Sequence, residues 1–261
     1  MLLCYSGPYM DGGLHISLAA ERLGSVFGIP ITNGLVAAWA TIALLIIAAF
    51  FIGRKPTLIP GKVQNVFEML FEFVLGYMEE TLGTRALAER FFPLIVTIFL
   101  FVFTANELEF FPLIGSVGIT QDGVFTPILR AATADLNMTL ALAIISFVTI
   151  EVSGIAALGI LKYGSKFVSF KTGVMGFFVG LLEIIGNLAR LVSFSFRLFG
   201  NIFAGEVLVA VAMAFLPYLL PVPLMLFETF VGLLQAAIFA LLTLVFIKLA
   251  IMEPHGEEAH P

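Results

Sequence analysis

TGVMGFFVGLLEIIGNLARLVSFSFRLFGNIFAGEVLVAVAMAF, residues 172–215, holds no proline and four charges: Glu183, Arg190, Arg197 and Glu206. Nothing in it stops a helix, so the pattern predicts one of about forty residues, roughly 60 Å at a rise of ~1.5 Å per residue. The hydrocarbon core of a bilayer is only about 30 Å thick. A membrane helix of this length must tilt steeply or break. Near its middle sits Arg197, with no acidic residue within eight positions on either side. A guanidinium does not shed its proton in a protein, so a permanent positive charge is kept at or near membrane depth.

The rest of the chain shows that the surrounding solvent is lipid. Of its 261 residues 60% are hydrophobic and 12% charged, with a mean hydropathy of +1.08. Soluble domains carry roughly 25% charged residues, so this composition is that of an integral membrane protein. A net charge of -5 offers no basic face for nucleic acid. The single cysteine, Cys4, forms no internal disulfide and suggests no zinc or redox site. His15, His255 and His260 lie near the ends, far from any intramembrane catalytic role. There is no GxxxxGK[ST] phosphate loop and no GxSxG elbow, and the first twenty residues lack the basic start and apolar block of a cleaved signal peptide.

Working outward from the long helix, the chain reads as one membrane domain, 1–261. Residues 35–53 form a first spanning helix that stops at Gly53-Arg54-Lys55-Pro56. Over 60–83 the pattern becomes amphipathic, with Gln64, Glu68, Glu72 and Glu79 on one face and Val63, Phe67, Leu70, Val74 and Tyr77 on another. This predicts a helix lying at the membrane surface. Residues 91–161 read as a helical hairpin around a Gly-rich polar tip at 113–134, with Asn106, Glu109, Asp135 and Asn137 near the loop end. The long segment then pairs with a second helix, after the turn at Pro217, Pro221 and Pro223, to make a long tilted hairpin over 172–252. The expected fold is therefore an all-α integral membrane protein with about five membrane-embedded helices plus one amphipathic surface helix. Arg54, Lys55, Lys62, Lys162, Lys166 and Lys171 gather on one side, which the distribution of basic residues places in the cytoplasm. The N-terminus then lies outside and the C-terminus inside.

The polar residues within these helices are few enough to weigh singly. Steps of seven and four put Glu183, Arg190, Arg197 and Asn201 on one stripe, while Glu206 points elsewhere. Glu228 and Gln235, seven apart, share a face of the last helix. In an antiparallel hairpin, residues whose numbers sum to about 432 would face each other, which sets Gln235 opposite Arg197 and Glu228 near the depth of Glu206. Glu183, Arg190 and Asn201 have a structural reading, as an ion pair and a helix–helix hydrogen bond, as well as a functional one. Arg197 has no such local partner, and an intramembrane charge of that kind marks function. Two carboxyls at similar depth, Glu206 and Glu228, resist both being ionised and so suit the loading and unloading of a proton.

Phe196-Arg197-Leu198-Phe199-Gly200-Asn201, Ala204-Gly205-Glu206 and Leu234-Gln235 through Thr243 together resemble subunit a of the F-type ATP synthases, bacterial-like in the Gly205-Glu206 pair. Pro60-Gly61-Lys62, Asn106 through Glu109 and Ala134 through Thr139 extend the resemblance across roughly 30–252. It implies a membrane stator that is not itself an enzyme, has no cofactor or metal, and abuts a rotating c-ring. Arg197 would be the essential arginine facing the ring carboxylates between two offset half-channels, so that proton flow drives rotation coupled to ATP synthesis. Glu206 and Glu228 would line the outer half-channel, with Asn106, Glu109, Asp135 and Asn137 nearer its mouth. Gln235 would lie next to the arginine, and Glu183 and Arg190 toward the cytoplasmic exit. The implied partners are the c-ring, subunit b of the peripheral stalk, the rest of the complex and the lipid bilayer, without nucleic acid. The implied location is a bacterial inner membrane. One departure is Glu228, where many bacterial relatives carry histidine. A secondary transporter would show paired broken helices or inverted repeats, against which the proline-free stretch argues. An intramembrane protease would need a nucleophile and a base, which the histidine positions do not supply.

Overall fold

The computed structural model describes residues 20–26, 28–53, 61–110, 118–121, 124–164, 174–217 and 219–252. Among these are seven α-helices: α1 (Asn33–Gly53), α2 (Lys62–Leu82), α3 (Arg85–Leu108), α4 (Leu136–Leu158), α5 (Ile160–Gly164), α6 (Val174–Phe215) and α7 (Pro221–Ile251). Five of them, α1, α3, α4, α6 and α7, are long and apolar enough to cross a membrane. Arg54, Lys55, Lys166 and Lys171, on which the expected orientation partly rests, lie outside the described residues, as do Cys4 and the three histidines.

The fold is the all-α membrane architecture that the apolar runs predict, with two additions that sequence patterning did not bring out. Strands β1 (Arg22–Val26) and β2 (Ile29–Thr32) form an antiparallel hairpin before α1. Strands β3 (Gly118–Gln121) and β4 (Val124–Pro127) form another at the tip between α3 and α4. Each strand is four or five residues long and includes a glycine or proline, so it carries little of the apolar–polar alternation that marks a strand.

Helix α6 runs unbroken for 42 residues, a consequence of its proline-free, apolar sequence. Helix α2 keeps its amphipathic character, exposing Val66, Met69, Leu70 and Phe73. It ends at Gly83, whose positive φ of 87° closes the helix through a bond from its N–H to the Glu79 carbonyl. Thr84 immediately caps α3, its hydroxyl oxygen accepting from the Leu87 amide at 3.4 Å. The corner is clamped by Arg85, which reaches Glu72 at 3.0 Å, Glu79 at 3.3 Å and Glu89 at 3.0 Å.

Helix α7 lies at the centre, packed on α3, α4 and α6. One apolar cluster joins Met78 and Leu82 of α2 to Phe91 and Ile95 of α3 and to Leu244 and Ile247 of α7. A second joins Val102 of α3 and Ala143 of α4 to Phe194 and Leu198 of α6 and to Ala236 and Phe239 of α7. Close approach at small residues recurs: Ala37 and Ala38 of α1 bury against Ala105 and Ala132. The opposite side of α6 stays open, with Leu182, Ile185, Leu188, Val192 and Phe196 all exposed.

The α6–α7 hairpin is antiparallel, but its register differs from the one counted along the sequence. Asn201 donates to Gln235 at 2.9 Å, and the Arg190 guanidinium lies 3.9 Å from the Phe246 ring centroid. Facing residues there sum to about 436 rather than 432, a shift of about one helical turn. Gln235 is consequently set beside Asn201, not directly opposite Arg197. Residue count along the sequence does not encode the offset at which two helices pack.

Candidate functional site

Arg197 is on the exposed side of α6. Its neighbours Leu198 and Phe199 point into the core, so helical geometry turns the guanidinium outward. Its hydrogen bond to the Ser193 hydroxyl, at 3.4 Å, comes from one turn back on the same helix. Among the described residues no carboxylate forms an ion pair with it. A groove of about 380 Å³ runs beside it toward Arg190, lined also by Ser193, Gly186, Leu242 and Phe246.

Arg190 stacks on Phe246 by a cation–π contact, which holds the charge flat against α7. Glu183 is exposed, and among the described residues no ion pair joins it to Arg190. A polar cluster that sequence reasoning missed lies at this end. Tyr163 of α5 donates its hydroxyl to Glu151 Oε2 at 2.8 Å, and Asn187 of α6 donates to Glu151 Oε1 at 3.4 Å. Burial pushes the Tyr163 phenol above its ordinary range, and the bond to Glu151 adds to this. Gly154 makes the arrangement possible, since a Cβ there would collide with the Tyr163 ring. The signal was present: Glu151 is the only charge between Asp135 and Lys162.

On the other side of Arg197, the Asn201–Gln235 bond links α6 to α7. Gln235 is buried, at 3% exposure. Beyond it, Glu228 lies over Gly205, close enough that a Cβ on Gly205 would strike its carboxyl. Glu206 does not pair with Glu228 but with Arg130, which reaches in from the segment before the 3-10 turn Ala132–Ala134. Nε donates to Glu206 Oε1 at 3.1 Å and Nη2 to Oε2 at 2.7 Å, a two-point contact with the Arg130 side chain only 10% exposed. To the two carboxyls expected from the sequence the structure thus adds a guanidinium, which contacts Glu206 and, among the described residues, makes no ion pair with Glu228. Arg130 was also missed, although it is the only basic residue between Arg90 and Lys162.

Glu109, just past the end of α3, belongs to the same group. Burial holds its carboxyl well above the ordinary range, reinforced by the charges of Glu206 and Glu228 and opposed by Arg130. Asn106 is fully buried, donating to the Gly232 carbonyl at 3.1 Å and accepting from the Thr133 hydroxyl at 2.7 Å. It knits α3, α7 and the 3-10 turn together. Asp135 and Asn137 serve α4 itself: Asp135 accepts from the Asn137 amide at 2.9 Å and from its side chain at 3.1 Å, capping the helix. The Asp135 side chain also packs on Gly34 of α1. The structure therefore brings Glu109 within reach of Glu206, Glu228 and Arg130, pairs Arg130 with Glu206, links Asn201 to Gln235, and has Asp135 and Asn137 cap α4.

Residues 35–248 match a family model described as the ATP synthase A chain. The chain is 35% identical over 219 residues to an ATP synthase subunit a of Moorella thermoacetica, covering 84% of this chain and 90% of that one. It is 35% identical over 242 residues to that of Mycobacterium marinum, covering 90% and 93%. A third relative, from Propionigenium modestum, is an ATP synthase subunit a described as sodium ion specific; the two are 34% identical over 243 residues, covering 88% and 78%.

Proposed function

The chain belongs to the ATP synthase A chain family, a multi-pass subunit of the membrane sector that works with the rest of the complex, and on that premise we propose that it is the proton-conducting stator. Its partner across the open face of α6 is the c-ring; subunit b of the peripheral stalk holds it against rotation. It has no catalytic site of its own, and it lies in a bacterial inner membrane with its N-terminus outside and its C-terminus in the cytoplasm. The observation that carries this reading is Arg197, a permanent cation directed outward from an apolar helix with no acidic partner among the described residues.

A fixed cation favours the ionised form of a carboxylate that approaches it, so a ring carboxyl arriving at Arg197 gives up its proton. The same charge repels a bare proton, which prevents direct leakage between the two access paths. This matters because one charge crossing 100 mV delivers about 2.3 kcal/mol, all of it lost in a short circuit. The outer path runs through Glu109, Glu206, Glu228 and the Asn201–Gln235 bridge, with Asn106, Asp135 and Asn137 framing its mouth. The inner path follows the groove past Ser193 and Arg190 toward Glu183. Arg197 lies between them along α6.

ATP-driven acidification of inverted vesicles tests the proposal. Arg197→Ala is expected to abolish acidification while the complex remains assembled and its head still hydrolyses ATP. Normal acidification by that variant would overturn the role given to Arg197. Replacing the proton readout with sodium uptake at fixed pH tests the ion: sodium accumulation in place of acidification would refute proton coupling.

A further inference from the structure

The two carboxyls next to the α6–α7 contact are held in unlike ways. Glu206 receives both forks of Arg130, a group that stays charged at any relevant pH, through a nearly buried side chain. A proton arriving on Glu206 would have to displace the 2.7 Å bond from Nη2. Glu228 has no such clamp. Its Oε1 is buried and has no hydrogen-bond partner among the described residues, and the carboxyl lies over Gly205, adjacent in sequence to Glu206. Two neighbouring carboxyls resist both being ionised, so fixing one as the anion sends the proton to the other.

We infer that Arg130 is a positioning residue: by holding Glu206 as a fixed carboxylate, it assigns the mobile proton of the outer path to Glu228. The inference rests on the proton-conducting role proposed above. The step is a plain proton transfer. The Glu228 carboxylate takes H⁺ from hydronium, leaving water, then gives H⁺ to the ring carboxylate and returns to the anion. The other charged groups facing this region are Glu109 and Glu107 from the end of α3, and Asp135 from the start of α4. Asp135 is occupied by its cap; Glu107, whose Oε1 is also buried without a hydrogen-bond partner among the described residues, approaches Gly232, one turn along α7 from Glu228. The unclamped acid on α7 itself is Glu228.

The test uses the whole complex in liposomes, measuring ATP synthesis against pH on the uptake side at a constant pH difference. Glu228→Gln is expected to lose at least tenfold in rate. Arg130→Gln frees Glu206 to share the proton, and its half-maximal pH is expected to rise by about one unit. Arg130→Lys, which keeps the charge, should hold the wild-type midpoint. The double variant R130Q/E206Q removes the clamp as a whole and leaves Glu228 in place; its midpoint should return to that of wild type. If Arg130→Gln fails to assemble, the double variant decides alone, since a displaced midpoint there overturns the inference. An Arg130→Gln enzyme that is slower with an unmoved pH profile also overturns it, as does near-wild-type synthesis by Glu228→Gln. Arg197→Ala in parallel separates the two levels: full activity there defeats the underlying role, whereas a dead Arg197→Ala with an unmoved Arg130→Gln profile defeats only the assignment to Glu228.

Discussion

Gly205→Ala should impair ion transport through a single added methyl group. An ideal Cβ at Gly205 would overlap Oε1 of Glu228, fall 2.5 Å from its Cδ and 3.2 Å from Oε2. Those separations lie inside van der Waals contact, so something must move. The obstructing atoms are the far end of a flexible side chain, so Glu228 swings aside rather than α6 and α7 parting. Overpacking of this kind costs about 1–3 kcal/mol, and the easy relaxation points to the lower end. If about 1 kcal/mol falls on the geometry in which Glu228 exchanges its proton, transport slows about fivefold. The assay is ATP-driven acidification of inverted vesicles, with immunoblotting to confirm that the chain stays in the complex. Glu228→Asp withdraws the carboxyl by one methylene and should relieve the collision. The double variant G205A/E228D is then expected to pump faster than the product of the two single effects, with a coupling of about 0.5–3 kcal/mol. Wild-type pumping by Gly205→Ala, or strictly multiplicative losses in the double variant, would refute the reasoning.

Two further outcomes concern groups away from that contact. Asn106→Leu removes the bond to the Gly232 carbonyl and leaves the Thr133 hydroxyl without its acceptor. The cost should be about 1–2 kcal/mol, read as a lower unfolding temperature in detergent, and Thr133→Val should recover part of it. The Tyr163 phenol, held above its ordinary range first by burial and then by Glu151, should remain protonated when the exposed tyrosines ionise near pH ~10. Because its affinity for the proton is raised in the folded state, its contribution to stability is complete below the unfolded value and is lost as pH rises through the folded one. Ultraviolet titration of wild type against Tyr163→Phe reads this directly, and a tyrosinate difference signal centred near pH ~10 would contradict it.

What the chain determined unaided was the set of elements and the charge at their centre. Leu35 to Ile52 and the stretch around Arg197 read as membrane-embedded helices, because lipid admits only helices and closed barrels and these apolar runs are far longer than a barrel strand of about 9–11 residues. The amphipathic face of α2 and the outward turn of Arg197 follow from a 3.6-residue period acting within one helix, where sequence distance and spatial distance agree. The pairings between elements do not follow from it. The α6–α7 register lies about a turn from the one counted along the sequence, because no periodicity within either helix records the offset between two packed helices. Arg130 meets Glu206 across 76 positions, from a loop whose path depends on how the 3-10 turn packs its alanines against Ile202. Asp135 and Asn137, read as part of a polar mouth, also cap the start of α4 through local hydrogen bonds that composition alone does not record. Which carboxylate is clamped and which is free was therefore decided only in the folded chain. Helix type and burial are short-range consequences of residue chemistry, whereas a two-point ion pair requires two separate backbones to arrive at one place within a few tenths of an ångström.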